Sequence, residues 1–334
     1  MEPIQRGISV VIPAYNSELS LPELTRRLRP VLEGTAAPYE LILVDDASRD
    51  GTWHVIQDLV RTIPWVLGVH LMRNYGQHNA LLCGIRMARY DLTITMDDDL
   101  QHPPEEIPKL LGLFGPGTDV VYGTPAAEQH GLWRDVATQV TKLALQSAMG
   151  APIARKAGAF RLFRTQLREA FSNYDGPYVS IDVLLTWATT RFVAVEVRHE
   201  PRRQGTSNYT FRKLVVHALN MVTGFSTWPL QVASLIGFVF TVVGTVTLLV
   251  VVVRNLLYGG APVGFPFLAS MIAIFSGAQL FALGIIGEYL ARMHARAMQH
   301  PVYAVREIAE HDERSGAQPK TAEHAPLGQR RRAR

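Results

Sequence analysis

Through the first 125 residues, short apolar runs rich in β-branched side chains alternate with stretches whose apolar positions recur every three or four residues. A two-residue period giving way repeatedly to a 3.6-residue period predicts strands and helices in turn, and so a mostly parallel sheet covered by helices. The strands are predicted over residues 8–12, 40–44, 66–71, 92–96 and 119–122. Leu21, Leu24 and Leu28 mark the first intervening helix, and residues 51–61 supply another. Later in the chain the pattern changes: residues 230–253 and 255–287 contain no Asp, Glu, Lys or Arg. A helix of roughly 20 apolar residues crosses a hydrocarbon core of about 30 Å. These runs therefore predict two spans, at about 230–253 and 265–287, in preference to a buried helical hairpin of a soluble protein.

Ahead of the first span, Phe211, Leu214, Val215, Ala218, Leu219, Val222 and Phe225 fall on one helical face, with Arg212, Lys213, His217 and Asn220 on the other. Such a segment either lies in the membrane interface or packs on the soluble domain. From about residue 310 the chain is polar with no periodic apolar face, and disorder is expected. The expected division is a catalytic-type α/β domain over 1–209, an interfacial helix over 210–227, a two-helix anchor over 228–290, and a tail over 291–334.

Composition sharpens this picture. Hydrophobic residues make up 48% of the chain and charged residues only 19%, so their segregation matters more than their number. The single cysteine, Cys83, excludes an internal disulfide and a multi-cysteine zinc site, and predicts a packing role in a reducing compartment. No leader pattern precedes the first strand, so the first 200 or so residues are expected in the cytoplasm. Arg202, Arg203, Arg212 and Lys213 precede the first span, Arg292, Arg296 and Arg306 follow the second, and Arg254 lies between. That bias predicts an inner (plasma) membrane protein with both termini cytoplasmic. The net charge of +4 is concentrated beside the spans and in a tail containing Arg330, Arg331, Arg332 and Arg334, which suits anionic lipid headgroups better than nucleic acid. Ser276, Gly277, Ala278, Gly284 and Gly287 permit close helix packing, against the first span or in a homo-oligomer. Glu288 is expected in a structural salt bridge, and Trp228 and Tyr289 as interface anchors.

Ligands of open α/β sheets bind beyond the carboxyl ends of the strands. Those ends carry Pro13, Tyr15 and Asn16, then Asp45 and Asp46, then Asp97, Asp98 and Asp99. Isolated aspartates such as Asp50 and Asp91 read as caps or turns. Three adjacent carboxylates repel one another, which favours a cation such as Mg²⁺ or Mn²⁺ over a plain turn. Alternation along a strand extension would turn Asp97 and Asp99 to one side and Asp98 to the other. Gln101 continues that alternation, as a further oxygen ligand or a turn residue, and His102 is either a ligand or part of the helix start at Pro104.

The runs VVIPAYNSE, LILVDDASRDGT and MDDDLQHPPEEIPKL resemble family 2 glycosyltransferases of the GT-A fold, in the branch of dolichyl-phosphate mannose synthases and bacterial polyprenyl-phosphate glycosyltransferases. AGAFRLFR, RRQGTSNYTFRKL and SGAQLFALGIIGEYLARMHARAMQHPVY are similar to the bacterial subgroup that includes undecaprenyl-phosphate 4-deoxy-4-formamido-L-arabinose transferases. The resemblance implies a Rossmann-like GT-A domain in which Pro13, Tyr15, Val44 and Asp46 hold the nucleotide. It implies that Asp97, Asp98 and Asp99 form the DxD region, with Asp97 at the nucleotide and Asp99 and Gln101 closest to the metal. Arg202, and secondarily Arg161, would bind phosphate of donor or acceptor. Ser17, Ala159, Asn208 and Pro125 depart from the family pattern; the phosphate contacts of the last two positions are then either missing or supplied by Arg134, Arg203 or Lys213.

The implied reaction is inverting transfer of a sugar from a nucleotide diphosphate-sugar, on resemblance a UDP-sugar, to undecaprenyl or decaprenyl phosphate at the cytoplasmic membrane face. A phosphate acceptor is already ionised at neutral pH, so no base is required, and Asp182 stands in reserve. A processive polysaccharide synthase is the competing enzyme, but its Gln-x-x-Arg-Trp motif has no counterpart, as the chain contains no Arg-Trp pair. The competing non-enzyme is a degenerate membrane scaffold.

Overall fold

The computed structural model describes residues 5–125, 157–176, 178–200, 228–258, 265–298 and 300–311. Strand β1 (Gln5–Ala14) leads to α1 (Leu21–Glu33), β2 (Tyr39–Asp45), α2 (Thr52–Thr62), β3 (Val66–Leu71), α3 (Gln77–Met87) and β4 (Tyr90–Thr95). A 3₁₀ turn (Pro104–Glu106) and α4 (Ile107–Gly112) precede β5 (Val120–Pro125). Then come β6 (Arg161–Arg164), a second 3₁₀ segment (Thr165–Phe171), α5 (Ile181–Ala188), β7 (Phe192–Val197), α6 (Trp228–Tyr258), α7 (Phe265–Ala297) and β8 (Val305–Ala309).

These strands form one sheet in the order β7-β5-β6-β4-β1-β2-β3-β8. The β4-β1-β2-β3 block is parallel. Strand β6 runs antiparallel between β4 and β5, and β7 is parallel to β5. Both faces of the block are covered, which is why its strands read as nearly continuous apolar runs. Val10, Ile12, Leu41 and Leu43 pack with Leu24 and Leu28 of α1 and Ile56 of α2. On the other face Val11, Ile42, Val44 and Val69 pack with Ala80, Leu81 and Cys83 of α3. Cys83 is fully buried and burial pushes its thiol up to about 12, as suits a packing residue.

The sheet extends beyond the sequence reading. Residues 291–334 are expected as a tail, yet α7 continues to Ala297 and β8 pairs antiparallel with β3. The polar positions that end the apolar run do not end the helix, and a five-residue strand carries too little periodicity to register alone. Strand β4 also stops at Thr95, so the aspartates lie in a turn and not on an extended strand. Within α6 and α7, Leu230–Arg254 and Ile274–His294 are long and apolar enough to cross a membrane. The two helices meet where a side chain at Gly244 would lie 2.7 Å from the Phe275 ring, beside the Phe240–Phe275 edge-to-face pair. The Glu288–Arg292 salt bridge forms one turn apart on α7. The expected interfacial helix at 210–227 and the polar tail from 312 lie outside the described residues, as do Arg134, Arg202, Arg203, Asn208 and Lys213.

Candidate active site

At the carboxyl edge of the sheet, the loops after β1, β2, β3 and β4 enclose a cavity of about 270 Å³. Pro13, Tyr15, Asp46, Asp97, Asp98 and Asp99 all line it, so these sequence candidates meet in one place. Asn74, Gly76 and Gln77 also line the cavity, and sequence reasoning did not single them out. A backbone amide has no sequence signature, although the Tyr-Gly-Gln start of a helix is a faint one.

Hydrogen bonds between loops give the cavity its shape. Both carboxylate oxygens of Asp46 accept backbone N–H groups, from Tyr75 and Gly76, each at 2.7 Å. Burial outweighs those bonds and raises the Asp46 carboxyl to about 6. Gly76 begins α3 with φ at 93°, a conformation open to glycine, and its N–H is thereby turned toward Asp46. Asn16 tolerates φ of 56°. It ties the first two loops together, its N–H donating to Ser48 Oγ at 2.9 Å and its amide oxygen accepting from Arg49 at 2.9 Å.

The three aspartates have separate partners. Asp97 accepts from Gln77 Nε2 at 2.5 Å. Asp98 accepts from Ser17 Oγ and from the Tyr15 N–H at 3.3 Å, and its burial pushes the carboxyl above the usual range. Asp99 accepts the Gln101 N–H at 3.1 Å across a turn in which Leu100 has φ of 61°. A leucine in the left-handed region costs about 1–2 kcal/mol, offset here by burial of its side chain in the core. The Gln101 carbonyl accepts the Glu200 N–H at 2.8 Å. Glu200 is further held by Arg27, which also makes a two-pronged ion pair with Glu105 at 2.9 and 2.7 Å.

Other candidates lie off the cavity. Val44 is fully buried with its side chain against α3. His102 stacks on Phe160 and meets His199 edge-on, and burial lowers its imidazole to about 4, so it is a packed neutral ring. Arg161 and Asp182 form an ion pair at 3.0 Å, with the Tyr122 hydroxyl donating to the same Asp182 oxygen at 3.0 Å. Burial holds the Tyr122 phenol well above its ordinary value. Among the described residues no group of three or more His, Cys, Asp or Glu side chains forms a metal cage. The cavity instead offers carboxylate oxygens from Asp97 and Asp99, the donor chemistry of a hard divalent ion that shares its coordination with ligand phosphates.

The glycosyl transferase family 2 domain matches residues 9–171, a span that includes every cavity-lining residue. The chain is 35% identical over 304 residues to the undecaprenyl-phosphate 4-deoxy-4-formamido-L-arabinose transferase of Pseudomonas aeruginosa strain LESB58, covering 90% of each chain. It is 34% identical to the enzyme of that name from Photorhabdus laumondii, covering 91% of this chain and 94% of the relative. Among solved structures, glucosyl-3-phosphoglycerate synthase from Mycobacterium tuberculosis with uridine diphosphate is 19% identical with a TM-score of 0.47, covering 65% of this chain and 78% of that one. On the strength of the two relatives, which match nine-tenths of its length, the chain is an enzyme of glycosyltransferase family 2, with a GT-A catalytic domain.

Proposed function

We propose that this enzyme moves a sugar from a UDP-sugar to polyprenyl phosphate, undecaprenyl or decaprenyl, at the cytoplasmic face of the plasma membrane. The observation that carries the reading is a single cavity lined by Asp97–Asp99 together with Pro13, Tyr15 and Asp46, on a chain that also has two bilayer-length helices. The relatives' name supports the acceptor class. Tyr15, 42% exposed at the cavity wall, offers a ring face to a base, and the loop fixed by Asp46 shapes the pocket around it.

Asp97 and Asp99, with Gln101, would hold Mg²⁺ or Mn²⁺, which when bound offsets the charge that develops on a departing diphosphate. Arg202 is assigned to the phosphates of the same diphosphate. Arg161, Arg134 and Lys213 are the further phosphate-binding cations of the proposal. The acceptor needs little activation, because a phosphate monoester with a second pKa near 6 is largely dianionic at pH 7. One of its oxygens attacks the anomeric carbon as the bond to the donor's β-phosphate oxygen breaks, the electron pair leaving with the diphosphate and the configuration inverting. Asp182, bound to Arg161 and Tyr122, orients the arginine and stays out of proton transfer.

Replacing Asp99 with Asn tests the assignment. Metal-dependent transfer to undecaprenyl phosphate should fall about 100-fold or more while the circular dichroism spectrum is unchanged. Full turnover by the variant, or wild-type turnover indifferent to EDTA, would end it. A panel of nucleotide-sugars with mass spectrometry of the glycolipid identifies the sugar.

A further inference from the structure

Between the end of α7 and the donor cavity lies a line of polar groups that the proposed reaction has not fully used. The Arg292 guanidinium rests 4.5 Å from the centre of the Tyr178 ring and is held by Glu288, one turn earlier on α7, at 2.5 Å. Tyr178 is tied through Tyr174 to α3. The Tyr174 hydroxyl donates to the Tyr178 carbonyl at 2.5 Å, Arg86 donates to the Tyr174 carbonyl at 2.9 Å, and any side chain at Gly176 would collide with the Tyr174 ring. Two residues on, Ser180 precedes α5 with its hydroxyl buried and without a hydrogen-bond partner, and it makes no side-chain cap to the helix. Asp182, in the first turn, pairs with Arg161 Nη1 at 3.0 Å, and the Nε of the same guanidinium is buried and without a hydrogen-bond partner. Both Ser180 and Arg161 are 1% exposed. On the cavity side His78 accepts the Ile181 N–H at 3.5 Å, and its neighbour Gln77 bonds Asp97.

Buried hydroxyl and guanidinium donors without partners are rare, because each loses its hydration with nothing in return. Two of them beside a cation call for an anion. A lipid phosphate supplies one, and its isoprenoid tail confines it to the bilayer, so it must come to the cavity from the membrane end of the molecule. A guanidinium stacked on an aromatic face presents planar donors that suit a phosphate, and Arg292 is so placed on Tyr178. We propose that residues 178–182 form the track along which the acceptor phosphate passes from the membrane surface, where Arg292 receives it, to the reaction position, where Ser180 and Arg161 hold it.

This inference rests on the polyprenyl phosphate acceptor proposed above. The test uses the full-length enzyme reconstituted in vesicles, with two acceptors: undecaprenyl phosphate, which must arrive from the bilayer, and geranyl phosphate, which arrives from water. Arg292→Gln should raise the KM for undecaprenyl phosphate about tenfold while leaving the KM for geranyl phosphate and for the donor within about twofold, and Arg292→Lys should recover most of the loss. Ser180→Ala should raise the KM for both phosphates and leave the donor KM alone. An Arg292→Gln variant that loses both acceptors equally, loses donor affinity, or loses nothing overturns the track, as does a Ser180→Ala variant with unchanged phosphate KM values. Wild-type enzyme that transfers to neither acceptor removes the functional reading as well, whereas wild-type turnover with indiscriminate variants removes the track alone.

Discussion

Asp46 commits both carboxylate oxygens to the amides that begin α3, so its charge state sets the shape of the donor cavity. Burial raises its carboxyl from 3.8 to about 6. Proton uptake between those two values is stronger in the folded chain, so it favours the fold, but it removes the charge that both amides bond. The donor KM should therefore rise as pH falls through about 6, with no matching fall in melting temperature. Asp46→Asn can accept from only one of the two amides and should bind donor weakly at every pH, without that step. A step that survives in the variant would assign the titration elsewhere. The clustering of Asp97, Asp98 and Asp99 was legible because repulsion between neighbours in sequence needs no fold to be noticed. Their partners were not: Ser17 and Asp98 are 81 residues apart, and Gln77 and Asp97 are 20 apart. Arg161 was visible through resemblance alone, since its pairing with Asp182 depends on β6 entering the sheet beside β4.

Helix α3 connects the core to the cavity, because its first turn supplies a cavity wall and its middle rests on the sheet. That contact is close: a side chain at Gly84 would collide with Val11 and approach Val44 to 3.1 Å. Gly84→Ala should gain up to about 1 kcal/mol of helix propensity and lose about 1–3 kcal/mol to overpacking, for a net loss. The expected reading is a melting temperature lower by a few degrees together with a higher donor KM, because α3 can relieve the clash only by lifting away from the sheet. Unchanged melting and unchanged donor affinity would mean that the helix is not seated this tightly. The parallel block was legible for the same reason that α3 fits it. Strands buried on two faces and long enough to repeat their pattern declare themselves, as β1, β2 and β3 do. Strand β6 has four residues and β8 five, too few for a pattern, and each owes its place to a partner far away in the chain.

One sheet cannot be divided by a bilayer, and this constrains the whole molecule. Strands β1 to β7 precede the two long helices and β8 follows them, yet β8 is paired to β3. Pairing is reinforced by the Met72 N–H donating to the Ala304 carbonyl at 2.9 Å and by the Tyr303 ring against Arg86 of α3. The chain must therefore return to the side it left, and if α6 and α7 span, they do so as a hairpin whose connecting loop is on the far side. Basic residues flank the hairpin on the catalytic side, which supports a cytoplasmic sheet, the side where nucleotide-sugars are found. Cysteine labelling reads this directly, because Cys83 is fully buried with its thiol pushed up to about 12 and gives little background. With a membrane-impermeant maleimide, Gly260→Cys, in the loop between the helices, should label in intact spheroplasts. Glu310→Cys, exposed just beyond β8, should label only after permeabilisation. Labelling of Glu310→Cys alone in intact spheroplasts would put the catalytic domain outside and exclude a cytoplasmic donor. Labelling of neither until permeabilisation would leave the loop on the sheet's own side, and α6 and α7 would then be a hairpin that does not cross.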